Sequence, residues 1–175
     1  MNKKLIPDCR LRSVYHLDFE WLTVNKIKYF LVDLDNTLDA YLTKIPSKKA
    51  TNLKHSLEAR GITMIIISNN RGNRVKTYAE ALGVRYLAHA KKPGTRHVRE
   101  FLRQNHIEVA TCIYAGDQIL SDVLFGNRLG VKTILVEPLT PFDQPITRFN
   151  RIYDRILRKK LSKIMLLSEE EKYDE

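Results

Sequence analysis

The chain has only two cysteines in 175 residues, Cys9 and Cys112, and they give no metal-ligand spacing. Cys112 falls in an apolar strand-like run and reads as a small core residue, and so sparse a cysteine content points to a reduced, cytosolic compartment. Long apolar runs are also missing. No segment approaches the roughly 20 apolar residues that a spanning helix needs. The opening stretch MNKKLIPDCRLR is basic but lacks the apolar core of a signal peptide. A soluble or peripheral protein is expected. Internal repeats and low-complexity linkers are absent too. Acids are in deficit, with 20 Asp+Glu against 30 Lys+Arg, so the formal net charge is +10. That favours polyanionic neighbours (nucleic acid, anionic membrane or phosphorylated substrates) without choosing among them.

The remaining pattern is that of one domain able to bury a proper core. KYFLVD (28–33), ITMIIIS (62–68), ATCIYAGD (110–117) and VKTILVE (131–137) are apolar on both faces, as buried parallel strands are, and VRYLAH (84–89) is a weaker fifth. Between them lie the helical candidates SKKATNLKHSLEARG, NRVKTYAEALG, GTRHVREFLRQNH and LSDVLFGNRLG. Three of these end at a glycine, Gly61, Gly83 or Gly130. Strand and helix alternating in this way predict an α/β fold, a doubly wound Rossmann-like parallel sheet of about five strands with helices on both faces. The organisation expected is a single domain over 1–175, with a catalytic core over 28–137. An N-terminal segment, 1–27, would pack on or near that core, with core packing expected for Trp21. A basic amphipathic helix is expected over 146–167.

Chemistry concentrates where strands end. FLVDLDNTLDAY runs a core strand into Asp33, Asp35 and Asp39. Ligands collect at the carboxyl ends of parallel strands, and carboxylates this close repel unless a cation or shared proton relieves them. Magnesium suits hard oxygen ligands of this kind. An EF-hand calcium loop is excluded, because its glycine and glutamate positions hold Leu38 and Lys44. A solvated turn capped by Asp and Asn is the plain alternative. Three further strand ends weigh against it: Ser68-Asn69-Asn70, Lys91-Lys92-Pro93, and Gly116-Asp117 with Asp122 five residues on. Each is ordinary alone. Together they supply acids, a hydroxyl and a cation in the combination that phosphoryl transfer to a carboxylate needs. One aspartate attacks phosphorus, a metal and a lysine balance charge, and a second acid handles the proton.

DLDNTL, ISNN, KKP and GDQILSD, in that order, resemble the four motifs of the haloacid dehalogenase superfamily of aspartyl phosphatases, over about residues 28 to 137. More narrowly, the chain resembles the YqeG-type phosphatases, which are similar to mitochondrial phosphatases acting on phosphatidylglycerophosphate. The resemblance implies a phosphomonoesterase using Mg2+. Asp33 would be nucleophile and metal ligand, and Asp35 general acid/base and metal ligand through its main-chain carbonyl. Ser68 and main-chain amides near Asn69 would hold the phosphoryl group. Lys92, preferred to Lys91 because it precedes proline, would neutralise phosphate. Asp117 would bind the metal, and Asp122 would reach it through water or orient Lys92. Asp39 has no motif role and reads as a turn or capping residue.

The stretch from Asp33 to Ser68 has room for one helix and one strand, and that from Ser68 to Lys92 for a helix and a short strand. Neither can hold a sizeable cap domain. An uncovered site favours a large or membrane-borne phosphomonoester: a lipid headgroup, a phosphoprotein or a nucleic-acid terminal phosphate. Nucleic acid is disfavoured by the lack of a recognisable binding motif. A non-catalytic RNA-binding scaffold is the alternative of another class. The basic C-terminal helix has two readings: peripheral contact with an anionic membrane, at the inner face, or packing against the sheet with a solvated basic face.

Overall fold

The computed structural model describes residues 2–41, 43–71, 73–141 and 153–162. Its centre is a six-stranded sheet: β1 (Cys9–Leu11), β2 (Tyr29–Val32), β3 (Thr63–Ile67), β4 (Arg85–Leu87), β5 (Cys112–Gly116) and β6 (Lys132–Val136). The spatial order is β1-β6-β5-β2-β3-β4, and every pairing is parallel. Five strands are those anticipated from the apolar runs. The sixth, β1, lies at the edge beside β6 and has three residues, too few to show a period in the sequence.

Alternate residues of the central strands serve two cores. Phe30, Val32, Met64 and Ile66 join a cluster with Ala50, Leu53 and Leu57 of α2 (Lys48–Glu58) and Val75, Tyr78 and Leu82 of α3 (Asn73–Leu82). Leu31, Ile65 and Ile67 face Val98 and Leu102 of α4 (Arg96–Gln104) and Phe125 and Leu129 of α5 (Leu124–Leu129). Helices on both faces explain why these strands are apolar throughout rather than alternating. The six-residue α1 (Phe19–Val24) packs Leu22 into the first core. Trp21 is not in that core, contrary to expectation. The single buried position of so short a helix goes to Leu22, and the indole, 39% exposed, lies against the Lys132 ammonium.

Helix ends follow local chemistry. Ser47 caps α2 through the Ala50 N–H, and Gly61, Gly83 and Gly130 all have positive φ just past their helices. The segment LSDVLFGNRLG departs from a plain helix. It opens with a π-helical turn, Ile119–Val123, before α5 begins, a local widening of the kind common at functional sites. Among the described residues there is no cap domain: α2 alone connects β2 to β3, and α3 alone connects β3 to β4.

Of the basic C-terminal segment, 153–162 is helical and is called α6 here. The rest of 146–167 lies outside the described residues. Leu157 and Leu161 of α6 pack with Ile119, Val123, Leu135 and the N-terminal Leu5 and Ile6. Tyr153 and Ile156, which the three-four spacing of the sequence puts on one apolar stripe with Leu157 and Leu161, are exposed beside Arg155, Lys159 and Lys160.

Candidate active site

The strand order places the site. Chain growth runs from β2 to β3 to β4 in one direction, then crosses back to β5 and β6 on the other side of β2. The switch point therefore falls between β2 and β5, where a crevice opens at the carboxyl ends of an open α/β sheet. Val32 pairs with Ala115, and the Asp33 N–H donates to the Ala115 carbonyl at 2.9 Å, so Asp33 leaves β2 beside the end of β5, one residue before Asp117.

The loop after β2 is held from several sides. Asn36 adopts φ 62°, donates its N–H to the Asp39 carbonyl (2.8 Å), and accepts from Leu139 N–H (3.0 Å) and the Thr140 hydroxyl (2.8 Å). The Asp39 carboxylate accepts from the Ser47 N–H (2.9 Å) at the start of α2 and from the Tyr78 hydroxyl (2.5 Å). Its hydrogen bonds join the loop to α2 and α3 rather than turning it toward the other acids.

Lys92 is the hub. Its side chain is 2% exposed, and Nζ donates to Asp33 Oδ1, Asp122 Oδ1 and the Tyr114 hydroxyl, each at 2.7 Å. Three donors meet three acceptors. Lys91, by contrast, is exposed. The Asn69 side chain clasps the Lys92 main chain in both directions, accepting from its N–H (2.7 Å) and donating to its carbonyl (3.0 Å). Ser68 is buried at the end of β3, and its hydroxyl accepts from the Asn70 N–H (3.1 Å). Asp122 gives its other oxygen to the Gln118 N–H (3.0 Å) and Ser121 hydroxyl (3.2 Å), so it orients Lys92. The Thr37 hydroxyl donates to Asp117 Oδ1 (3.3 Å). Asp35 is paired with the guanidinium of Arg74, which also reaches the Thr43 carbonyl (3.0 Å).

The electrostatics leave a deficit of positive charge. Burial pushes Asp33 up to about 7 despite the Lys92 ammonium, and the neighbouring Asp122 and Asp35 add to the rise. Burial also opposes charge on Lys92, but Asp122 and Asp33 outweigh it and hold its pKa above the ordinary lysine range. Asp35 is raised by burial and drawn the other way by Arg74. Carboxylate oxygens of Asp33, Asp117 and Asp122 lie within 4.8 Å of one another. One lysine against three carboxylates leaves a double negative charge, and the donors are hard oxygens. This set fits a divalent cation, to which Asp33 and Asp117 could offer carboxylate oxygens, while both Asp122 oxygens already accept hydrogen bonds, one from Lys92 and Tyr114 and the other from Gln118 and Ser121.

The site thus gathers Asp33, Lys92, Asp117 and Asp122, with Asn69 on the Lys92 main chain, whereas Asp39 is bonded to α2 and α3 and Lys91 is exposed. It also contains Arg74, Tyr114, Thr37 and Asn36, which the sequence did not mark. Tyr114 sits mid-strand and reads as core. Arg74 lies in the first turn of α3 and looks like any helix arginine. Asn36 is visible in DLDNTL, but its anchoring of residues 139–140 spans distant parts of the chain.

Fold and site together define a phosphatase of the haloacid dehalogenase type. The chain belongs to the mitochondrial PGP phosphatase family, whose sequence pattern matches residues 1–140. It is 35% identical over 155 residues to the probable phosphatase YqeG of Bacillus subtilis (strain 168), covering 89% of this chain and 90% of that protein. It is 30% identical over 150 residues to the chloroplastic phosphatidylglycerophosphate phosphatase 1 of Chlamydomonas reinhardtii, covering 80% of this chain and 55% of that longer protein. Among solved structures, the fold is shared with an uncharacterized protein from Listeria monocytogenes serotype 4b (TM-score 0.54, 16% identity, 68% of this chain and 85% of that one). It is shared too with the cobalt-bound form of the deoxy-D-mannose-octulosonate 8-phosphate phosphatase from Haemophilus influenzae (TM-score 0.50, 13% identity, 66% and 81%).

Proposed function

We propose that the protein is a Mg2+-dependent phosphomonoester hydrolase that works through an aspartyl-phosphate on Asp33. Its substrate is phosphatidylglycerophosphate at the cytoplasmic face of an anionic membrane. The observation that carries the chemistry is the 2.7 Å contact of Lys92 Nζ with Asp33 Oδ1 at the switch point.

Lys92 fixes the Asp33 carboxylate and lies where it can also balance a bound phosphoryl group. Asp33 attacks phosphorus, forming the Asp33 O–P bond as the bond from phosphorus to the leaving oxygen breaks. Asp35 gives that oxygen a proton, and the alcohol departs. Water then attacks phosphorus, Asp35 takes its proton, and phosphate leaves with Asp33 restored. Burial suits Asp35 to carry a proton in the first half, while Arg74 favours its ionised form for the second. Ser68 and the amides beside it hold the equatorial oxygens. Asp33, Asp117 and the Asp35 main-chain carbonyl would hold magnesium, which when bound would supply positive charge against phosphate and nucleophile.

For the substrate, the uncapped site and the outer face of α6 both favour a lipid surface. Tyr153 and Ile156 are 65% and 48% exposed next to Arg155, Lys159 and Lys160, a mixture suited to an anionic interface. The substrate named for the Chlamydomonas relative agrees with this reading. The test is phosphate release from phosphatidylglycerophosphate in mixed micelles, a phosphopeptide, an oligonucleotide 5′-phosphate and a small sugar phosphate. The lipid should be preferred. Preference for the sugar phosphate would contradict the argument from an uncovered site, and preference for phosphopeptide or oligonucleotide would move the assignment to that polymer.

A further inference from the structure

We propose that α6 is a positioning element of the active site: through Arg158 and Asp154 it fixes the loop carrying Asp117 and so sets how tightly the site holds its divalent cation. This rests on the metal reading given above.

Only Asp117 and Gln118 connect β5 to the π-helical turn that bears Asp122. The β5–β6 ladder ends with Gly116 opposite Leu135. Beyond it, the carbonyls of Asp117 and Val136 continue past the last strand pair, and backbone acceptors in such a place need donors from elsewhere. Arg158 provides them. Nη2 donates to the Asp117 carbonyl and to the Val136 carbonyl (3.0 Å), and Nη1 donates to Glu137 Oε1 (2.9 Å). Its Nε donates to Asp154 Oδ2 (2.7 Å), while Asp154 Oδ1 accepts from the Ile119 N–H (2.7 Å). The Asp154 side chain is 5% exposed, so its charge is buried and paired with Arg158. Between the two residues, the Asp122 carboxylate holds the Gln118 N–H. The metal loop is therefore gripped at three successive residues, two of them from α6. Leu161, fully buried against Ile119, Val123 and Leu135, keeps the helix in register with its targets.

A planar guanidinium can serve four acceptors at once in this geometry, which a lysine ammonium cannot match. Loss of this support would let the Asp117 backbone drift without removing any metal ligand. Such supporting partners typically contribute about tenfold to a hundredfold in metal affinity.

The test is Mn2+ binding to the full chain, read as loss of the free-ion electron paramagnetic resonance signal. The proteins compared are wild type, Arg158→Ala, Arg158→Lys and, as a control on the outer face of α6, Arg155→Ala. Circular dichroism and thermal melting of each metal-free protein check the fold. The expected result is roughly tenfold weaker Mn2+ binding or worse in Arg158→Ala, a weakening in Arg158→Lys, and wild-type affinity in Arg155→Ala. Wild-type affinity in folded Arg158→Ala, or an equal loss in Arg155→Ala, would overturn the proposal. Should Arg158→Ala fail to fold, wild-type affinity in Arg158→Lys would overturn it instead. A wild-type protein that binds no Mn2+ would remove the metal reading itself, and the inference with it.

Discussion

A Cβ atom on Gly116 would lie 2.4 Å from the Cβ of Asp122 and 2.8 Å from its Oδ2. Both are contacts that packed atoms do not make, so the last residue of β5 must be glycine for Asp122 to reach Lys92. Gly116→Ala is expected to push Asp122 away and loosen the Lys92 ammonium. Overpacking of this kind costs about 1–3 kcal/mol. Urea denaturation should show a loss in that range, and phosphatase turnover should fall by more than stability alone explains. Unchanged turnover would mean that the Asp122–Lys92 contact is dispensable.

Removing the cation itself should be costlier. Lys92→Met leaves Asp33 and Asp122 buried and facing each other, and breaking a buried pair from one side typically costs about 3–5 kcal/mol. The Lys92 ammonium holds the Asp33 pKa down to about 7, so its removal raises that pKa further, and the loss should grow as pH rises through 7 and shrink below it, where Asp33 holds its proton in both proteins. Denaturation midpoints at pH 5 and pH 7.5 measure both.

Asn69 tests the main-chain clasp separately from charge. Asn69→Ala removes two hydrogen bonds to Lys92, each contributing about 1 kcal/mol, with no charge altered. Activity should fall by roughly an order of magnitude while the fold persists. Steady-state kinetics with a thermal melt decides whether the clasp matters to the chemistry.

The raised Asp33 predicts how metal and pH interact. In the metal-free protein its pKa of about 7 lies above the unfolded value near 3.9, so the folded state binds the extra proton between them. Its contribution to stability is full below pH 4 and is lost as pH rises to 7. A divalent cation needs the ionised carboxylate, so metal should recover that loss only where Asp33 has ionised. Addition of Mg2+ should raise the melting temperature clearly at pH 7.5 and little at pH 5. An equal rise at both would argue that Asp33 is not a ligand.

The motif residues were legible because they follow short runs that are apolar throughout, where both strand and exit can be read locally. The preference for Lys92 over Lys91 rests on the motif resemblance, in which the lysine precedes proline; the structure buries the first and exposes the second. What escaped depends on distance along the chain. β1 takes its partner from β6 more than a hundred residues away and is too short to carry its own period. The π-helical turn at Ile119–Val123 carries Asp122, whose partner Lys92 lies 30 residues away in the chain, a pairing that local propensity does not reveal. Tyr114 looks like core because most of it is, with only its hydroxyl in the site. The apolar stripe read along the C-terminal segment divides in space. Leu157 and Leu161 pack inward while Tyr153 and Ile156 remain outside, because Asp154 and Arg158 occupy the inner face as well.

Covalent capture of the nucleophile bears on the mechanism without intermediaries. The enzyme is acid-quenched during turnover, its acyl phosphate reduced with borohydride, and the peptides sequenced by mass spectrometry. Homoserine should appear in place of Asp33 and at no other aspartate, and Asp33→Asn should give neither the mark nor turnover while keeping its circular dichroism. An unmodified Asp33 in an enzyme that is visibly turning over, or a fully active Asp33→Asn protein, would contradict the aspartyl-phosphate mechanism.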